Sequence, residues 1–168
     1  MQKLQRAIML GAMVLAVSSS QAGLPKLGSN NNGGGTLLCQ LNFVDVPGGP
    51  DRYTGRWINM QVSAAGSTLD DGPACVAGGG SGFKGFQLPA SRVGDFLKIL
   101  GISQLPASIT ISASICAEGL SKTCQLVGSR SFTLSGDSGG GYVAVPSTAE
   151  ISFSAYKDNK DYSPCVDR

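Results

Sequence analysis

Residues 108–117, with the sequence SITISASICA, decide the fold class of this chain. Ile109, Ile111, Ala113 and Ile115 occupy every second position, and small polar residues fill the positions between them. A period of two is typical of a β-strand, in which successive side chains point to opposite faces. The segment therefore predicts a strand that buries its isoleucines and turns its hydroxyl groups towards solvent.

The same alternation recurs in other short segments, which are separated by turns rich in Gly, Pro and Ser. They predict further strands at residues 36–46, 56–63, 125–134, 142–145 and 150–156. Residues 70–73 predict a polar turn, and residues 78–85 predict a loose glycine loop. Such an arrangement favours a mainly β fold, either an antiparallel β-sandwich or an open barrel.

One segment has helical rather than strand periodicity. Within residues 89–100, apolar side chains recur at Val93, Phe96, Leu97 and Leu100, and Gly101 follows directly as a stop signal. We therefore predict one short amphipathic helix, at about residues 90–100, packed against the sheets.

The N-terminus predicts export. Lys3 and Arg6 precede an apolar run at residues 7–17, and small side chains lead up to Ala22. We expect a signal peptide at residues 1–22, a flexible Gly- and Asn-rich leader at 23–36, and a single disulfide-containing β domain at 37–168. Once the signal is removed, no membrane span is expected.

The charge balance argues against polyanionic partners. The full chain carries thirteen basic and eleven acidic residues, and two of the basic residues lie in the predicted signal. The remaining chain is neutral, so we expect no nucleic-acid binding.

The five cysteines all lie after the predicted signal, and an exported chain favours their oxidation. We predict a disulfide between Cys116 and Cys124, which would close a short loop, and another between Cys39 and Cys75, which would leave Cys165 as the spare thiol. An equally open alternative pairs Cys165 with one of these partners and leaves a different cysteine spare.

Residues 136–140, GDSGG, resemble the segment around the nucleophile of chymotrypsin-like serine proteases. Those enzymes need a histidine base, and this chain contains no histidine. We therefore interpret the segment as the turn between two strands and predict no catalytic, cofactor-binding or metal site. A carboxylate enzyme is a third-ranked hypothesis, with the candidates Asp70, Asp71, Asp95, Glu118, Asp137 and Glu150.

Aromatic residues next to a turn offer a candidate contact surface. Tyr53, Arg56 and Trp57 lie close together in sequence, and their side chains could stack on a sugar ring. The alternative is that Trp57, the single tryptophan of the chain, packs in the core.

The early cysteine pair, Cys39 and Cys75, is similar to a feature of chaperone–usher pilins. In that family a cysteine on the first strand bridges to one a few tens of residues later, inside an incomplete sandwich that a neighbouring subunit completes by strand addition. In this chain, residues 23–35 lack the alternating apolar residues of a donor strand, and three cysteines are additional.

Together these patterns predict a secreted, periplasmic or cell-surface protein that is structural or interacts with other proteins. The resemblance implies a filament subunit, with protein partners or self-assembly rather than catalysis. The alternative is a monomeric secreted module that binds a ligand, acts as an adhesin or inhibits another protein.

Overall fold

The computed structural model describes residues 36–48, 54–78, 83–117, 123–156 and 162–166. The predicted signal peptide lies outside the described residues, and so does the predicted leader apart from Thr36. Nine strands run through the described residues: β1 Leu37–Val44, β2 Thr54–Ala64, β3 Ser67–Ala77, β4 Phe83–Pro89, β5 Ala107–Cys116, β6 Cys124–Gly136, β7 Tyr142–Val145, β8 Thr148–Ser152 and β9 Pro164–Val166.

The strands form two sheets, and neither closes into a barrel. The larger sheet has six strands, in the order β3-β2-β5-β6-β7, with the short β9 paired to the beginning of β2. All its pairings are antiparallel. The smaller sheet has the order β4-β1-β8, and its β1–β8 pairing is parallel. The mainly β fold predicted from the sequence is confirmed, in its sandwich form.

The core lies between the sheets and follows the predicted alternation. Ile109, Ile111, Ala113 and Ile115 of β5 are fully buried. Aromatic side chains fill the opposite side, where Phe43 of β1 and Phe153 meet edge to face with ring centroids 5.3 Å apart. Burial of such apolar surface is the main stabilising contribution to the fold.

The predicted helix is also confirmed. A single 3-10 turn at Ala90–Arg92 leads into α1, Val93–Ile99, which buries Val93, Phe96 and Leu97. Gly101 ends it with a φ of 68°, a left-handed conformation that glycine adopts at little cost. Phe96 packs against Phe86 of β4, so the helix covers core beside the smaller sheet.

Three strands were not predicted. The expected polar turn at 70–73 lies within β3, which is an edge strand. Gly72 has a φ of 75° there, and the β2–β3 pairing shifts its register at this point. The second half of the expected glycine loop lies in β4, and residues 79–82 are outside the described residues. Gly85 lies within β4, where the Phe43 ring occupies the space that a side chain would need: its nearest atoms are 2.5 Å from the position of a Cβ. The third is β9, with only three residues.

The segment predicted as a strand at 150–156 is a strand in its first half and a 3-10 turn in its second. β8 ends at Ser152, and a 3-10 turn at Ser154–Tyr156 follows it. Ile151 and Phe153 are buried as expected, whereas Ala155 is exposed. The backbone N–H of Phe153 donates to the Val44 carbonyl, which continues the pairing with β1 for one more residue.

Candidate functional site

Of the predicted contact surface of Tyr53, Arg56 and Trp57, the structure describes Arg56 and Trp57. Tyr53 lies outside the described residues. Arg56 and Trp57 are consecutive residues of β2, so their side chains project from opposite faces of the sheet. The Arg56 Nη1 donates to the Gly55 carbonyl at 3.0 Å, and its Nε is buried without a hydrogen-bond partner. Trp57 is partly buried, on the face of the larger sheet that points away from the core.

The disulfides correct half of the predicted pairing. Cys116 and Cys124 are bonded as predicted, and they also face each other in the β5–β6 pairing. The predicted bond between Cys39 and Cys75 is wrong, because Cys75 is bonded to Cys165 and Cys39 is the free cysteine. Cys165 is therefore not the spare thiol, and the alternative, in which Cys165 bonds to one of the predicted partners, is the pairing observed.

Strand pairing explains why Cys75 meets Cys165. Cys75 of β3 lies opposite Trp57, and Cys165 of β9 lies opposite Gly55, so both flank the beginning of β2. Gly55 has no side chain between them, and a Cβ there would lie 1.7 Å from the Val76 carbonyl oxygen. The bond thus joins β3 to β9 beside Gly55, where β3 approaches the β2 backbone closely.

Cys39 is enclosed in the core of the smaller sheet. Its side chain is 1 % exposed, and it lies opposite Leu88 in the β1–β4 pairing. Burial removes the thiolate from water and raises the pKa of Cys39 to about 12. The sulfur is therefore a neutral thiol at physiological pH and behaves as a small apolar side chain.

The GDSGG segment forms the β6–β7 turn, as predicted. The Asp137 carboxylate accepts the backbone N–H groups of Gly139 and Gly141 at 2.8 and 2.7 Å. The Asp137 N–H in turn donates to the Gly141 carbonyl at 3.0 Å. Asp137 is thus an organiser of the turn, and the resemblance to a protease segment reflects turn chemistry.

The outer face of the larger sheet, meaning the face turned away from the core, is lined by hydroxyl and amide groups. Its register places side chains in rows across β3, β2, β5 and β6. Three consecutive rows are Thr68-Ser63-Thr110-Ser131, Asp70-Gln61-Ser112-Ser129 and Pro73-Asn59-Ser114-Leu126. Asp70 is the only charged residue in these rows. These three rows are therefore mostly polar and contain a single charge.

Asp70 organises the amides in the middle of this face. Its Oδ2 accepts from the Gln61 Nε2 at 2.8 Å and from the Asn59 Nδ2 at 3.5 Å. Its Oδ1 accepts the backbone N–H of Gly72 at 2.9 Å, which fixes the carboxylate. Asn59 is only 9 % exposed, and its Oδ1 is buried without a hydrogen-bond partner.

This amide cluster was not predicted as a site. The sequence assigns Asn59 and Gln61 to the polar side of a strand and Asp70 to a turn. The available signal was the spacing of Trp57, Asn59 and Gln61, which share one face of β2 because they are two residues apart. Only the β2–β3 register adds Asp70 to them.

The edge of the larger sheet at β7 has a different chemistry. Val143 and Val145 are 45 % and 65 % exposed, and both lie on the outer face. β7 pairs with β6 on one side and has no strand partner on the other among the described residues. It carries no charged residue.

The described ranges offer neither a cluster of metal ligands nor a helix suited to cross a membrane. They contain no group of three or more His, Cys, Asp or Glu side chains arranged to hold a metal ion. No helix within them has the length and apolar character needed to cross a bilayer. Of the carboxylate candidates, Glu118 lies outside the described residues, and Asp70 and Asp137 have the structural contacts given above.

Comparison with known proteins found no significant match to a family model, a curated protein or a solved structure.

Proposed function

We propose that this chain is an exported protein that acts at the cell surface or outside the cell by contact with other proteins, and that it self-associates as a filament-like subunit. The observation that carries the proposal is the edge strand β7, which exposes Val143 and Val145 and pairs with no second strand in the part of the chain that the structure describes.

Natural sheets usually protect an edge strand with charged residues, a bulge or a covering segment, because an open edge pairs with other chains. β7 has the sequence YVAV and none of these charges. A strand added along β7 would pair with the backbone on that side and place its own side chains next to both valines. The edge is thus chemically suited to a protein partner.

The two disulfides support the export part of the proposal. Bonds such as Cys75–Cys165 and Cys116–Cys124 persist in oxidising compartments and are rare in the reducing cytosol. They also agree with the signal peptide predicted at residues 1–22.

The proposed assembly is similar to that of chaperone–usher pilins, with one modification. The core-facing residues of β5 are buried by the chain itself, with Ile109, Ile111 and Ile115 each at 0 % exposure. Subunits would therefore associate as complete domains at the β7 edge. Because Cys39 is buried, the association would also be non-covalent.

The test is the mass of the mature chain, from residue 23 onward, by size-exclusion chromatography with light scattering across a wide range of concentration. We expect concentration-dependent assemblies that persist when thiols are alkylated under native conditions. Val145→Lys should shift them to monomer, because it places a charge on the edge.

The matched control is Thr68→Lys, which adds the same charge to the exposed outer face at the opposite edge of the sheet. It should assemble like the parent chain. A monomer at every concentration would refute self-association and favour the monomeric binding module. Equal effects of the two lysines would refute the assignment to β7.

A further inference from the structure

The middle of the outer face combines an aromatic ring with aligned amides. Trp57, Asn59 and Gln61 succeed one another on this face of β2, at intervals of about 7 Å, since a strand rises about 3.4 Å per residue. Ser112 and Ser114 of β5 flank the amides on one side, and Asp70 flanks them on the other. Donors, acceptors and an apolar ring thus lie along one stretch of about 14 Å on this face of β2.

Asn59 is the unusual member of this group. It lies on the side of the sheet that faces away from the core, yet its exposure is only 9 %. Its Oδ1 is buried without a hydrogen-bond partner, which is unfavourable for a polar atom. An unsatisfied acceptor in a native protein calls for a missing donor, and a ligand is one source of it.

The charges of the surrounding rows restrict the class of ligand. Asp70 is the only charged residue there, and its carboxylate is already engaged by Gln61, Asn59 and Gly72. With no cation in these rows, a phosphate or sulfate group would find no counter-charge. A neutral ligand that is rich in hydroxyl groups matches this surface.

We propose that the outer face around Trp57, Asn59 and Gln61 binds a neutral glycan. The apolar face of a sugar ring would stack on Trp57, while hydroxyl groups donate to Asn59 Oδ1 and exchange hydrogen bonds with Gln61, Asp70 and the serines. This inference extends the extracellular contact role proposed above and uses a surface separate from β7.

Trp57 lies two residues from Asn59 on the same face of β2, and the proposed sugar ring stacks on its indole. Binding should therefore change the environment of the indole. Because Trp57 is the single tryptophan of the chain, its fluorescence reports on this site alone.

The test screens the mature chain on a printed array of neutral glycans and then titrates the bound oligosaccharides while recording tryptophan emission. We expect a saturable change in emission with at least one class of sugar. Gln61→Ala should weaken the apparent affinity about tenfold, which corresponds to about 1.4 kcal/mol of lost contact. Gln61 is exposed, so this substitution should leave the fold intact.

Thr133→Ala is the matched control, because Thr133 is an exposed hydroxyl residue at the far end of the same face. It should bind like the parent chain. A silent array, or an affinity that Gln61→Ala leaves unchanged, would overturn the proposal. An emission change that follows protein concentration and ignores sugar would also overturn it, because a second copy would then cover the face.

The titration is repeated in Val145→Lys, the variant designed to be monomeric. Binding that persists there supports the glycan site whether or not the chain forms filaments. Assembly without glycan binding would refute the glycan site alone, so the two proposals can fail separately.

Discussion

Replacing both Cys75 and Cys165 with alanine should destabilise the protein considerably more than replacing both Cys116 and Cys124. The first bond joins positions 90 residues apart, and the second joins positions 8 apart. A cross-link restricts the unfolded chain, and the restriction grows with the length of the loop that it closes.

The magnitudes follow from the loop-closure relation. At room temperature it gives about 4.6 kcal/mol for the 90-residue separation. The same relation gives about 2.5 kcal/mol for the 8-residue separation. The difference of about 2 kcal/mol is the quantity to measure, since effects common to both double variants largely cancel.

The assay is urea unfolding of the two double variants, with peptide mass mapping of the parent chain under non-reducing conditions. Cys39→Ala is the control, and it should retain both disulfides. Finding Cys39 bonded to Cys75 would refute the pairing. Equal losses of unfolding free energy in the two double variants would refute the entropic reasoning.

Three further predictions concern local features. Ala65 precedes Gly66 in the two-residue turn between β2 and β3 and has a φ of 50°, a conformation for which Asn is preferred. Ala65→Asn should therefore raise the free energy of unfolding, measured in urea, by about 0.5–1 kcal/mol. An unchanged free energy would contradict the idea that Ala65 is strained. Asp137→Ala should lower the free energy of unfolding by about 1 kcal/mol, because two backbone N–H groups lose their acceptor. Ser138→Ala, the control, should leave it unchanged. Equal thermal unfolding midpoints of the two variants would contradict this role of Asp137. The Cys39 thiol loses its proton near pH 9 in the unfolded chain and near pH 12 in the folded chain. The free energy of unfolding should therefore fall as the pH rises through this window. The fall should be about 1.4 kcal/mol per pH unit steeper than in Cys39→Ala. Parallel pH profiles of the two proteins would show that Cys39 is not buried.

The strands that could be predicted are those whose side chains alternate clearly. β5 buries every second residue, and that pattern is visible in residues 108–117 alone. β3 was missed because an edge strand buries little, so its sequence carries turn-forming polar residues in place of alternation. β4 was missed because Gly85 has a packing role, and only contact with Phe43 reveals it.

The candidate sites were harder to predict than the strands. Adjacent residues such as Arg56 and Trp57 look like a patch in sequence, yet the pleat of a strand separates them. Asn59, Gln61 and Asp70 come together only because β3 folds back on β2 in one register. Residues that are adjacent in sequence can therefore lie on opposite faces, and residues that are distant in sequence can lie side by side.

By itself, the sequence determined the local features of this protein: the strand period, the amphipathic helix, the turn at 136–140 and the short Cys116–Cys124 loop. These depend on neighbouring residues, whose geometry is fixed by backbone sterics and side-chain alternation. The tertiary structure alone decided that Cys75 meets Cys165, that Cys39 is sealed in the core and that β7 forms an edge. Those outcomes depend on how distant strands align to bury the whole core at once, and no single segment encodes that alignment.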